Sequence, residues 1–351
     1  MKILYVKKQE RGAFWKRSLR ELRDSFNWHN RVGFFSASLR TQADVKRITL
    51  KRIRKFTKQE INKFDAVIFN YECNFRSEGR PLESSERAIR ELRSKLGDVP
   101  VILLLTSPDA EMVPGNEMMD MLNLVFRREH FKDLDMYKKL NAESKAKLRT
   151  TALSCPLIPA NILNYNRIDP KKYGFKNVPE SYTHDVFFLG QETSRSFMRT
   201  NMLEAISKTG IHFYGGLHTD VRNPEREVPE HLQFPRLSKR KFYETTRDSK
   251  INLALDGYGE FTYRHWECWA LCSFILSSPS VNKVKLPFEI VDGKHLVTFD
   301  DKDDLIDKIK YYLEHDKERE EIARNGRQLF EEEYNFHKHG KYIVDEISKI
   351  L

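Results

Sequence analysis

The sequence predicts an α/β protein of two domains, each built on parallel βαβ units, and three observations predict it. Short continuous apolar runs alternate with charged or amphipathic stretches, the pattern of strands buried on both faces and joined by helical crossovers. The length of 351 residues suits roughly two domains of about 100–200 residues each. Between the two α/β patterns, residues 155–182 carry Pro156, Pro159, Pro170 and Pro179 with few periodic apolar positions, which reads as an interdomain connection.

Each element follows from its local pattern. Lys2-Ile3-Leu4-Tyr5-Val6 is a buried strand, and Phe14, Leu19, Leu22 and Phe26 mark a basic amphipathic helix by their near-helical spacing. Ala66 to Phe69 and Val99 to Leu105 are strands flanking a charged helix over 85–96. Val125-Phe126 is a further strand, and the charged segment 131–150 is expected to be helical. The second pattern opens with the strand Asp185 to Gly190 and a helix over 194–208. A strand over 211–214 is expected to end at Gly215-Gly216, before a polar loop over 217–238 and a helix over 239–248. Ile251 to Leu255, Phe274 to Leu276 and Leu296 to Phe299 are strands, with a helix over 262–272. A long helix from Asp303 to about Glu333 is expected to break at Asn325-Gly326.

Composition narrows the function classes. Twenty-three Phe, 14 Tyr and 4 Trp supply too much apolar area for a disordered chain. No apolar run approaches the roughly 18–20 residues of a membrane-spanning helix, and the opening segment is closed by Lys7-Lys8, unlike a secretory signal. Cys73, Cys155, Cys268 and Cys272 form no CxxC pair and read as reduced thiols of a cytoplasmic protein. The net charge of +10 favours acidic partners without choosing among phosphates, nucleic acid and anionic lipid.

The stretch that carries chemistry is Asp256-Gly257-Tyr258-Gly259-Glu260-Phe261-Thr262-Tyr263-Arg264-His265-Trp266-Glu267. It follows a strand and opens a helix, so backbone N–H groups and a positive dipole end face whatever lies beyond the strand. Arg264 brings a planar fork suited to a diphosphate. Glu267, three residues on, shares its helix face and can accept hydrogen bonds from the paired hydroxyls of a ribose. The plain alternative is a surface i,i+3 ion pair.

Beyond these residues, the second half resembles the C-terminal half of GT-B glycosyltransferases, in particular the glycosyltransferase group 1 subset that includes spore-maturation-type transferases. The resemblance runs over roughly 184–340: the strand ending at Gly190 with Arg195 and Arg199 after it, Tyr214-Gly215, Lys241-Phe242-Tyr243 to Leu255, Thr262 to Glu267, Leu286 to Gly293, and the closing segments from Asp303 to Tyr334. Two departures stand out. Leu271-Cys272-Ser273 replaces the family's Ala-Cys-Gly, and Glu260 lies seven rather than eight positions before Glu267, which leaves inverting and retaining chemistry both open.

The resemblance implies a GT-B fold, α/β, with two Rossmann-like domains facing across a cleft: an N-terminal acceptor domain over 1–165, a linker over 166–183, and a C-terminal nucleotide-sugar domain over 184–335. The last helix, 336–351, would cross back to the first domain. It implies transfer of a sugar from a nucleotide-diphosphate donor to a hydroxyl acceptor in surface glycan synthesis, with no metal and no further cofactor. Arg264 would stabilise the leaving diphosphate, with Arg195, Arg236, Lys239 and Lys241 as weaker candidates. Glu267 would hold the donor ribose, with Thr262, Tyr263, His265, Gly190, Arg195, Tyr214, Gly215 and Lys241 around the donor.

Glu72 and Asp109, each after a first-domain strand, are the leading candidates for a general base, ahead of His130. Asp133-Leu134-Asp135 matches a metal-binding tripeptide only superficially. The basic residues over 7–54, interleaved with Phe14, Trp15, Phe26 and Trp28, suggest peripheral contact with an anionic membrane carrying a glycan or lipid-linked acceptor. Two rival functions are a basic nucleic-acid-binding protein, for which no recognised module is visible, and a catalytically silent sugar-nucleotide-binding protein.

Overall fold

The computed structural model describes residues 1–7, 33–71, 81–105, 110–158, 169–192, 198–218 and 228–351. The chain forms two units. One comprises Met1–Ile168, Lys285–Pro287 and Asn335–Leu351, and the other Asp169–Val284 and Phe288–Tyr334. Each is organised by one parallel sheet.

In the first unit the strands are β1 (Lys2–Lys7), β2 (Asp44–Thr49), β3 (Ala66–Tyr71), β4 (Val101–Leu105), β5 (Leu124–Arg127) and β7 (Leu148–Thr150), with the short β6 (His130–Phe131) outside the sheet. Their spatial order is β2-β1-β3-β4-β5-β7, all parallel. All five residues of β4 are buried, as expected for a central strand covered on both faces. Helices α1 (Gly33–Gln42) and α2 (Pro81–Leu96) belong to this unit. So does the last helix of the chain, which packs on α1 and sends Ile343 and Ile347 into the core of Tyr5, Phe35, Ile68 and Phe126.

The second unit repeats the plan. Strands β8 (His184–Gln191), β9 (Phe213–His218), β10 (Ser249–Ala254), β11 (Ile275–Ser277) and β13 (Val297–Thr298) lie in the order β9-β8-β10-β11-β13, again parallel, with the two-residue β12 (Val284–Lys285) apart. Helices α3 (Met198–Ser207), α4 (Lys239–Arg247), α5 (Tyr263–Ala270), α6 (Lys302–Glu314) and α7 (Asp316–Glu333) complete it, and α8 (Phe336–Ser348) is the helix that joins the first unit. In both sheets the order reverses beside the first strand, between β1 and β3 and between β8 and β10. In doubly wound sheets, ligands bind outside the carboxyl ends of the strands at that reversal.

Several sequence expectations need correction. Residues 131–150 are not one helix: a 3₁₀ turn (Leu134–Met136), a single helical turn (Ala142–Ala146) and β7 occupy them, because capping by Asp133 and Asn141 starts two separate turns. Strand β9 does not end at Gly215-Gly216 but runs through both to His218. The closing helix is interrupted at His315, and α7 passes through Asn325-Gly326 unbroken. A Cβ on Gly326 would sit 2.3 Å from Trp269 Cδ1, so this glycine lets α7 approach α5 rather than ending a helix. Strand β2 and helix α1 were not expected from the sequence.

Candidate active site

At the order reversal of the second sheet, β8 ends at Gly190-Gln191 and β10 runs into Leu255-Asp256. The glycine-bearing loop 256–261 then leads into α5. Arg199, on the first turn of α3, spans the reversal: Nε donates to the carbonyl of Asp256 (2.7 Å), Nη2 to that of Leu255 (3.1 Å) and Nη1 to that of Gln191. Its guanidinium is pushed down to about 10 by burial, with Arg264 adding to the shift. Glu192 closes the start of α3 by accepting from the backbone N–H and hydroxyl of Thr200 (2.8 and 3.0 Å).

Arg264 rises beside this clamp. Its Nη2 donates to the carbonyl of Leu189 (2.7 Å), and its guanidinium lies over the Phe242 ring, 4.6 Å from the centroid. Its Nη1 is buried and makes no hydrogen bond. A buried guanidinium nitrogen without an acceptor is costly, so this geometry suits an arriving anion.

Glu267 is only 3% exposed. Its Oε1 accepts from the Tyr243 hydroxyl on α4 (3.2 Å). Burial pushes its carboxyl up to about 7, against the pull of Arg264, Tyr243 and Lys239. Among the described residues Arg264 and Glu267 do not pair with each other, so the plain i,i+3 ion pair is not what holds them. Lys239, one turn before Tyr243, places its ammonium over the Tyr243 ring at 5.7 Å.

The other expected residues are placed differently. His265 is fully buried: Nδ1 accepts from the Thr262 N–H (3.1 Å), which leaves Nε2–H to donate to Ser277 Oγ (3.0 Å). Both ring nitrogens are thus engaged in fixing the start of α5 against β11. Gly215 adopts φ +113°, and a Cβ there would lie 1.9 Å from the carbonyl oxygen of Phe188. It serves the close approach of β9 to β8.

Tyr214 stacks flat on His184 at 4.1 Å, level with Phe187 and short of the carboxyl end of β8. Lys241 is exposed in the first turn of α4 and acts on His184, whereas Lys239 acts on Glu267. Gly190, within β8, would bring a Cβ to 3.0 Å from the Phe188 ring and 3.4 Å from Arg199 Nη1, so it makes room for the clamp. Thr262 and Tyr263 stand half-buried at the start of α5. Glu72, Asp109 and Arg195 lie outside the described residues. So does the basic helix expected over Phe14 to Phe26.

In the first unit, Arg127 at the end of β5, Arg128, Glu129 and His130 at the start of β6 form a buried run of polar side chains, with Arg128 and Glu129 paired at 3.1 Å. Burial holds His130 down at about 4. The acidic tripeptide is engaged locally: Asp133 caps the turn through the Asp135 N–H (2.9 Å), and Asp135 pairs with Lys145 (2.7 Å). Sequence reasoning missed the contact of Tyr243 with Glu267 and the bridging role of Arg199. The first depends on which side chain of α4 reaches α5, at which only the i,i+4 spacing of Lys239 and Tyr243 hints, and the second on which strand ends lie beside α3.

Two parallel sheets, with the candidate site at the order reversal of the second, give the chain a GT-B-like α/β architecture. Residues 195–345 match the model of the family described as glycosyl transferase-like. Three solved structures share the fold over nearly the whole chain. Alr3699/HepE from Anabaena in complex with UDP and glucose is 9% identical, with a TM-score of 0.56 over 99% of this chain and 100% of that one. An alpha-glucosyltransferase, AGT, in complex with UDP is 12% identical, with a TM-score of 0.56 over 99% and 100%. A glycosyltransferase from Rickettsia africae ESF-5 is 15% identical, with a TM-score of 0.56 over 99% and 98%. No curated protein matches at the level of sequence. The chain thus shares the fold of these glycosyltransferases, and the family resemblance is confined to residues 195–345. No helix among the described residues is long and apolar enough to cross a membrane.

Proposed function

We propose that the protein transfers a sugar from a nucleoside-diphosphate donor held on the second unit to a hydroxyl acceptor. The observation that carries this reading is the Arg264 guanidinium at the sheet reversal, anchored through Nη2 and unpaired at Nη1. As the C1–O bond of the donor breaks, its electron pair passes to the β-phosphate, and the growing charge is met by Arg264 Nη1. A preformed donor of this kind needs no rearrangement as charge develops. The acceptor oxygen bonds to C1, and its proton goes to a first-unit base, with Glu72 and Asp109 as our candidates, or to the leaving phosphate. Glu267 accepts from the ribose hydroxyls. The two similar structures that hold UDP support a nucleotide donor.

We read the reaction as metal-independent, because Arg264 and Lys239 supply cationic charge at the site. Turnover retained in excess EDTA tests this. The acceptor, in our reading, is a glycan or lipid-linked hydroxyl of surface glycan synthesis, reached from the cytoplasmic side with the basic segment 7–54 against anionic lipid. Co-sedimentation with phosphatidylglycerol vesicles but not with phosphatidylcholine vesicles is the expected result. The central experiment is a thermal-shift screen against nucleoside diphosphates, since a ligand that binds only the folded state raises Tm by mass action. A positive response lost in Arg264→Ala supports the assignment, and no response to any nucleoside diphosphate rejects it.

A further inference from the structure

We propose that Tyr243 is a positioning residue that makes the donor site selective for ribonucleoside over 2′-deoxyribonucleoside diphosphates, by fixing one oxygen of Glu267 so that the other meets the ribose diol. The inference rests on the reading of Glu267 as the ribose ligand.

A glutamate has three rotatable bonds, and a carboxylate that serves two adjacent hydroxyls must hold its plane as well as its position. Glu267 projects from α5, and the Tyr243 hydroxyl reaches its Oε1 from α4 at 3.2 Å. Tyr243 is itself packed edge-on against Phe242, with centroids 5.7 Å apart, and the Lys239 ammonium stands over its ring. A cation on the ring face favours the O–H as donor. Glu267 makes no other side-chain hydrogen bond among the described residues, so Oε2 remains for the ligand.

A carboxyl that is 3% exposed cannot exchange a lost ligand hydroxyl for bulk water. A sugar lacking the 2′-hydroxyl leaves one acceptor site of a desolvated oxygen unfilled, and a site built to pair a hydroxyl rejects the analogue without it. Arg264, Tyr243 and Lys239 all favour the ionised carboxylate, the form that accepts from both hydroxyls.

The test is calorimetric titration of the full-length protein with UDP, GDP, ADP and CDP and with the 2′-deoxy form of each. The wild type is expected to bind the best ribonucleotide on the order of tenfold more tightly than its deoxy form, one charge-assisted hydrogen bond's worth. Tyr243→Phe should lose most of that preference by weakening only the ribonucleotide, and should move the loss of ribonucleotide binding on acidification to higher pH. Equal weakening of both forms by Tyr243→Phe would mean a packing role and would overturn the inference. A preference abolished by Glu267→Gln but kept in Tyr243→Phe would overturn it while leaving the ribose role of Glu267 intact. A preference untouched by Glu267→Gln, or no binding of any diphosphate, would remove the underlying reading as well.

Discussion

Arg264 combines a carbonyl anchor at Leu189, a ring beneath it at Phe242 and an unpaired Nη1. Lysine at this position keeps the charge and loses the fork. Both Arg264→Lys and Arg264→Ala should therefore lower kcat, the alanine variant by about 10²–10³ if the group acts only as charge develops, which steady-state kinetics will show. Glu267 makes a different prediction. Its folded carboxyl sits near 7 against an ordinary value of 4.5, so the folded state binds the extra proton between those values and stability falls as pH rises through them. Glu267→Gln, which keeps a partner for Tyr243, should then be more stable than the parent at pH 8 by on the order of 3 kcal/mol and no more stable near pH 4. Thermal melts at the two pH values check this, and the same variant should bind donor less well. Both residues were legible in the sequence because a strand, a glycine-bearing loop and a helix start occur there in order. Their lack of mutual pairing was not, since spacing fixes a helix face but not which neighbouring helix supplies Tyr243.

At the level of elements, the strands read best, because burial on both faces leaves an unbroken apolar word such as Val101 to Leu105. Edge strand β2, Asp-Val-Lys-Arg-Ile-Thr, escaped because an edge is exposed and carries charge that discourages further pairing. Helix α1 escaped because Ser36, Ala37 and Ser38 are small residues buried where α8 comes close, with a Cβ on Gly340 falling 2.1 Å from the Ser38 carbonyl oxygen. Gly326 misled for the same reason, since a helical glycine signals a break only when no neighbour needs its space. Gly326→Ala gains about 1 kcal/mol of helix propensity. It also drives a methyl against buried Trp269 and within 2.9 Å of the His295 carbonyl oxygen. Overpacking of this kind costs about 1–3 kcal/mol. We expect a net fall in Tm by differential scanning fluorimetry, together with weaker donor binding as α5 is displaced.

For the molecule as a whole, buried groups in the two units contribute with opposite sign in acid. In the first, His339 is buried against Phe34 with a ring nitrogen 2.7 Å from the Thr151 hydroxyl oxygen, and burial lowers it to about 3. His130 is lowered to about 4. Unfolded histidines protonate near 6.5 while these folded ones resist, so the first unit loses stability as pH drops below about 6.5. In the second, Glu267 contributes the opposite sign between 7 and 4.5 and offsets His184 and His295, which burial also lowers. Amide hydrogen exchange should show protection in β1, β3 and β4 falling from pH 7 to 5 relative to protection in β8 and β10. Equal loss in both would argue against this assignment of the titrating groups.

The first unit is assembled from both ends of the chain, with Ile343 and Ile347 of α8 lodged among side chains from β1, α1, β3 and β5. During synthesis the intervening 169–334 leaves the ribosome before that apolar seam can close. A nascent polypeptide stopped just after Tyr334, ahead of α8, would carry a finished second unit and an open first one. A premature stop there should therefore yield a product that chaperones retain and proteases trim from the front.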